Sequence, residues 1–380
     1  MIWYVYQEDK RGEYIMKKEE LSKLKSGLKL NSKNPSRIIK GFNIYCKRDT
    51  TQMKKIGKAD IYFEYEDEEV KEILLENSKK ILTGAIGSKI FDLEINNDTE
   101  GLEFLKYLSE GLNEDEFDVV VEDFIDDLIS EINYEGDVVI TTLLVETYFK
   151  HPETKELLSH KHISFTVNPI VVSKKEINLS LPFKNLSTNS TNMVIDFKNP
   201  QEGFIFPSIE DYKPNVNKIL YYTGKTNNLN EKFIKDVLNS KVPLTAAQEK
   251  NIFNTVLKET VGESIPLSTI SNVINDIANQ KISNEDGTIS LKKFGKILEE
   301  NGIKNAEEAL KDVVSDTNSE VKIDNLIPTK KKGIKLNNSK LTISVDENSI
   351  KNVSKIDKGG KKCLIIELDD DVMLDDFKIV

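Results

Sequence analysis

Twelve successive residues, Val138 to Phe149, read Val-Val-Ile-Thr-Thr-Leu-Leu-Val-Glu-Thr-Tyr-Phe, almost all apolar, aromatic or β-branched. An unbroken run of that kind suits a strand covered on both faces, and it commits the chain to a buried sheet. After a polar connection over 150–161, His162 to Val172 alternates, with Ile163, Phe165 and Val167 on the core side. The simplest pairing of the two runs is a long hairpin. Just upstream, Glu114 to Ile132 repeats Phe117, Val120, Val121, Phe124, Leu128 and Ile132 at three and four residues, the pattern of an amphipathic helix. A buried sheet beside such helices is an α+β chain.

The other segments fit that class. Leu21, Leu24 and Leu28 share one helical face over 17–29, and Arg37 to Lys47 is expected as a strand with Phe42, Ile44 and Cys46 on one side, paired with Ala59 to Tyr65. A helix is expected from 67 to 82, ending at the turn Thr83-Gly-Ala-Ile-Gly87, and a further helix between the following strand and Glu114. Strands are expected at 177–181, 193–197 and 218–222, with Asn185 to Asn192 as a loop. Short helices follow at 229–240, 245–261, 267–280, 290–301 and 304–315. The tail returns to alternation at Leu341 to Val345, and Lys358-Gly-Gly-Lys361 is a hairpin turn, because two glycines accept the positive φ a tight hairpin needs. These shifts suggest a mixed-sheet domain over 16–225 with packed helices, a helical segment over 226–316 and a small β domain over 317–380. Residues 1–15 are expected to be an upstream extension, with Met16 as the native start.

The chain of 380 residues has a net charge of −11, but that charge is segregated. Lys17 to Lys58 holds 13 basic residues against 3 acidic, whereas Ala59 to Glu146 holds 5 basic against 26 acidic. Neighbouring segments of opposite sign are expected to fold against one another; a basic arm facing an external polyanion is the other reading. Within the acidic helix, Asp118, Glu122 and Asp126 form one row, and Asp123, Asp127 and Glu131 another. Like charges at that spacing cost roughly 0.2–0.5 kcal/mol per pair, so cations or a partner must offset them. Those six residues are the candidate interaction surface. Two cysteines, Cys46 and Cys363, and no apolar run of membrane-spanning length point to a cytoplasmic protein without a disulfide framework.

Chemistry-bearing motifs are sparse. Asn284-Glu-Asp-Gly-Thr-Ile289 mimics a calcium loop, but the first and twelfth positions are Ile282 and Lys293, where calcium needs carboxylates. An ordinary turn between helices is the preferred reading. His160 and His162 share a strand face, and a hairpin could bring His151 near them, which makes these three the weak candidates for a metal site. Asp211-Tyr-Lys213 beside Glu210 is half of a metal-dependent nuclease pattern without a second acid. Thr83 to Lys89 lacks the spacing of a phosphate loop. Cys46 lies with Phe42 and Ile44 and reads as a buried thiol.

The block Gly203-Phe-Ile-Phe-Pro-Ser-Ile-Glu-Asp-Tyr212, followed by Asn217-Lys-Ile-Leu-Tyr-Tyr-Thr-Gly224, carries no catalytic pattern. At this block the chain resembles an uncharacterised bacterial family, the domain of unknown function numbered 4317. The likeness extends to Met16-Lys-Lys-Glu-Glu-Leu-Ser-Lys-Leu, Leu82 to Glu94, Pro243-Leu-Thr-Ala-Ala-Gln-Glu-Lys250 and Ile356 to Ile366. The resemblance implies no activity, cofactor or catalytic residue. The leading expectation is a non-enzymatic cytosolic interaction or scaffold protein, with a protein partner on helix 114–132 and no cofactor. The alternatives are a nucleic-acid-associated protein using residues 17–58 and a metal-dependent hydrolase.

Overall fold

The computed structural model describes residues 18–61, 66–96, 116–172, 177–179, 186–188, 193–261, 267–283, 287–314, 317–326, 334–337, 342–345, 352–367, 373–374 and 377–378. The expected upstream extension, the expected helix between 96 and 114, and the head of the calcium-like loop, Asn284 to Asp286, lie outside them. The fold is α+β, and its contacts divide the chain into a unit ending at Thr245 and a unit from Ala246 onward.

The first unit is built on one antiparallel sheet. Its strands are β1 (Arg37–Arg48), β2 (Met53–Asp60), β3 (Ile90–Glu94), β4 (Val138–Lys150), β5 (Leu157–Val172), β9 (Glu202–Phe206) and β12 (Lys218–Thr223), in the order β2-β1-β4-β5-β9-β12-β3. Strand β8 (Met193–Ile195) pairs with the far end of β5. Between them, β6 (Ile177–Leu179) pairs with β7 (Leu186–Thr188), so a strand occupies part of the stretch expected as a loop. The expected hairpin of β4 and β5 forms, with Ile140 opposite Val167 and Leu144 opposite Ile163. The partner of β1 starts earlier than expected, at Met53, because the turn closes where Asp49 N–H donates to Gln52 O.

Helices cover both faces of this sheet. On one face lies α3 (Phe117–Glu131; α1 and α2 follow below), whose Phe124 sits edge-on to Phe165 and Phe204 at 5.5 and 5.8 Å. A π-helical turn, Phe233–Val237, buries Phe233, Ile234, Val237 and Leu238 in the same layer. That packing carries the first unit twenty residues past the compositional boundary at 225. On the other face lie α1 (Lys18–Gly27) and α2 (Glu68–Lys80), which bury Leu21, Leu24, Leu74 and Leu75 against Ile38, Leu143 and Val145.

The Gly203–Gly224 block belongs to the core. Phe204 and Phe206 point to the α3 face and Ile205 to the other. A Cβ at Gly203 would stand 2.4 Å from Phe165 O, and one at Gly224 2.6 Å from Pro200 O, so both positions are reserved for bare backbone. Between the glycines, β10 (Ser208–Glu210) and β11 (Lys213–Asn215) form a hairpin whose turn residues Asp211 and Tyr212 both have positive φ. The acid-x-Lys string is therefore a two-residue turn.

In the second unit, α4 (Ala246–Val261), α5 (Leu267–Ser283), α6 (Leu291–Glu300) and α7 (Ala306–Val313) match the expected helices. The calcium-like segment does more than turn. It enters β13 (Thr288–Ser290), which pairs with β14 (Glu320–Lys322), placing Ile289 opposite Val321. Each short strand runs straight into a helix, α6 in the first case and α8 (Ile323–Leu326) in the second. Residues 320–326 thus pack with helices, although they fall within the expected β tail. The tail proper is hairpins: β15 (Ile334–Asn337) with β16 (Thr342–Val345), β17 (Val353–Lys358) with β18 (Lys361–Ile366), and β19 (Met373–Leu374) with β20 (Phe377–Lys378). Gly359 and Gly360 have φ of 61° and 76°, as the expected turn requires.

Candidate functional site

Part of the segregated charge is neutralised inside the first unit. Lys40 on β1 meets Asp118 at 3.1 Å; on β2, Lys55 meets Asp126 at 2.8 Å and Lys58 meets Glu122 at 2.7 Å. The first acidic row of α3 is therefore clamped over the basic β1–β2 ribbon, which offsets the repulsion along the helix. In the second row, Glu131 pairs with Lys232 at 2.9 Å, while Asp123 and Asp127 are exposed.

The candidate histidines divide. His160 and His162 stack at 5.0 Å between centroids, fully buried on the face covered by α1 and α2. His151 lies in the β4–β5 turn, edge-on to Tyr212 at 4.9 Å. His160 Nε2 donates to Pro207 O at 3.2 Å and His162 Nδ1 to His160 O at 3.1 Å, since a carbonyl can only accept. Burial holds both rings neutral, pushing His160 down to about 3 and His162 down to about 4. Among the described residues no group of three His, Cys, Asp or Glu side chains is placed to hold a metal ion. Cys46 is buried, and burial pushes its thiol up to about 12, so it stays unreactive at neutral pH.

The face expected to be the polar side of β5 is also buried. Ser164 Oγ donates to Ser78 Oγ at 2.8 Å, Thr166 Oγ1 to Asn77 Oδ1 at 2.6 Å, and Asn77 Nδ2 to Asn168 Oδ1 at 2.7 Å. This ladder of short polar side chains seats α2 on the sheet, and strand alternation alone does not reveal it.

The most site-like feature is a cleft of about 640 Å³ at one end of the sheet, where the start of β9, the end of β12 and the C-terminus of α3 meet. Its floor carries Glu202, the first residue of β9, only 3 % exposed. Three donors from three other segments converge on this carboxylate: Tyr134 OH at 2.5 Å and Asn230 Nδ2 at 3.1 Å on Oε1, and Tyr221 OH at 3.1 Å on Oε2. Asn230 is itself fixed, because its Oδ1 accepts from Phe233 N–H at the head of the π-helical turn. Burial raises the Glu202 pKa, and the three donors pull it back down. Burial together with the facing carboxylate holds both phenols well above their ordinary value, so they remain donors. Around the mouth stand Lys89, Lys225 and Lys232 with the amides of Gln201 and Asn228, and Lys89 Nζ lies over the Tyr222 ring at 5.9 Å.

Both oxygens of Glu202 already accept hydrogen bonds from three other segments, which suits holding four chain segments in register. Sequence reasoning missed this cluster. Glu202 heads a short strand with no periodic signature, and its partners are scattered from Tyr134 to Asn230.

No curated protein and no solved structure matches the chain. The family model described as "Domain of unknown function (DUF4317)" matches residues 16–377. The residues quoted above for the resemblance lie in β3, β9, β12, α4 and the β17–β18 hairpin, elements that build both units, and the chain belongs to this family.

Proposed function

We propose that this is a non-enzymatic interaction protein of the bacterial cytoplasm, which receives its ligand or partner in the cleft above Glu202. One observation carries the reading: the cleft's buried carboxyl is engaged on both oxygens by Tyr134, Tyr221 and Asn230, side chains from three other segments, an arrangement that favours shape and contact over proton transfer. Its mouth offers amides, an aromatic face and lysines, groups that recognise a polar surface without bond-making. No helix among the described residues is long and apolar enough to cross a membrane. The nucleic-acid alternative loses support because Lys40, Lys55 and Lys58 are engaged by α3. The acidic helix contributes through its C-terminal end, where Glu131 borders the cleft.

Lysine-directed crosslinking in extract of the protein's own cells tests the reading. Crosslinks from Lys89, Lys225 or Lys232 to one recurrent partner are expected, and the Lys225→Glu/Lys232→Glu variant should lose them. Turnover of any substrate by the purified protein, lost in Glu202→Gln with the fold intact, would overturn it.

A further inference from the structure

A second groove, of about 560 Å³, runs between α2 and the β5–β8 pair on the face opposite α3. Its lining is apolar along the middle: Ile73 from α2, Val171 from β5, and Val194, Ile195 and Phe197 from β8 and the residues after it. Phe197 packs against the core of that face, whereas Ile73, Val171 and Val194 are exposed. Ile73 is 43 % exposed and Val194 44 %; Val70, Val172 and Met193, neighbours in sequence of lining residues, are exposed as well. Single exposed apolar residues are ordinary, but a set gathered along one groove is a binding surface.

The groove is preformed. Asn77 and Ser78 fasten the inner side of α2 to β5, and Asn77 also donates to Phe197 O at 2.9 Å, so the two walls are tied together at one end. Its charge is directional. Glu69, Glu72 and Glu76 follow one another along α2 at three and four residues and line the same side. Glu76 pairs with Lys79, whereas neither Glu69 nor Glu72 has an ion-pair partner among the described residues. Lys80 and Lys198 lie at the end marked by Asn77 and Phe197, with the single carboxylate Asp196 beside them.

We propose that this groove docks a basic amphipathic helix of a partner protein. Ile73 on one wall and Val171 and Val194 on the other, flanked by the acids of α2, form one side of an apolar seam; the complement is an apolar stripe flanked by lysine or arginine. The cations at the Asn77 end set the direction, because they meet the negative end of the incoming helix dipole. The proposal rests on the interaction reading above but uses a surface separate from the cleft.

The probe is a fluorescein-labelled helical peptide of leucine and lysine at 3.6-residue spacing, titrated by anisotropy against the full chain. A glutamate counterpart serves as control. Saturable binding of the lysine peptide alone is expected, weakened at least about tenfold by Ile73→Asp and by Glu69→Lys/Glu72→Lys. Tyr134→Phe, at the cleft, should leave it unchanged. Ile73, Glu69 and Glu72 are on the surface, and matched thermal melts verify the fold; if Ile73→Asp misfolds, the double charge reversal decides. No saturable binding, equal binding of the glutamate peptide, or indifference to both variants would overturn the proposal. Lysine crosslinks at the cleft that persist alongside such a failure would leave the first reading standing.

Discussion

Tyr134 and Glu202 lie 68 residues apart in sequence, yet the phenol donates to the buried carboxylate at 2.5 Å. The bond joins the segment after α3 to the first residue of β9. With Tyr221 and Asn230 it makes one carboxyl the meeting point of four chain segments. Removing a donor leaves a buried acceptor under-satisfied, which costs more than the bond's net gain. Tyr134→Phe is expected to lower stability by about 2 kcal/mol in urea unfolding, and Glu202→Gln, which keeps the shape but replaces one accepting oxygen with an amide donor, by a comparable amount. Equal and negligible losses for both would show that the cluster holds nothing together.

The stacked histidines make the first unit acid-sensitive. Their folded pKa values lie below the ordinary 6.5, at about 3 and about 4, so the unfolded chain binds protons that the folded chain refuses. Their stabilisation is fully present above pH 6.5 and is lost as pH falls toward 3, by on the order of 3–5 kcal/mol per histidine. His160→Gln/His162→Asn keeps the two donors without a titrating ring. Its stability should be flatter between pH 6.5 and 4 than the parent's, measured by urea titration at each pH.

Glu249 on α4 works in the opposite sense. It is buried, accepts from Asn325 Nδ2 at 2.6 Å, and is pushed up by burial from its ordinary 4.5 to about 7. A raised carboxyl favours the folded state when protonated, so this contribution is present below pH 4.5 and disappears as pH rises through 7. The full swing is on the order of 3 kcal/mol. Glu249→Gln should abolish it, giving a variant more stable than the parent at pH 8 and equal to it at pH 4. Amide exchange in the second unit is the readout.

Glu122 and Lys58 test the clamp between α3 and β2. Both are partly exposed, so the pair is worth only about 0.2–1 kcal/mol. Glu122→Lys should cost about 1 kcal/mol, and adding Lys58→Glu should restore part of that loss. A double-mutant cycle at 50 and 500 mM salt measures the coupling, which should shrink as the charges are screened. A coupling that does not respond to salt would mean that packing, not charge, seats the helix.

Legibility followed interaction range. The β4–β5 hairpin, the apolar stripe of α3 and the Gly359–Gly360 turn depend on residues near one another in sequence, and all were readable. Pairing with distant segments was not. Nothing near Ser164, Thr166 and Asn168 signals that Asn77 and Ser78 will cover them, and alternation alone makes such a face look solvated. The strand β14 fell within the expected β tail because its partner, β13, lies across two helices.

The sequence by itself determined the α+β class, the family and the opposition of a basic ribbon to an acidic helix, because periodicity, turn chemistry and net charge are local sums over neighbouring residues. Only the tertiary structure decided that Glu202 gathers two phenols and an amide, that His151 stands apart from the buried pair, and that α2 leaves an acid-walled apolar groove. Those outcomes depend on which surfaces meet once the sheet is closed between its helices, and no single segment carries that information.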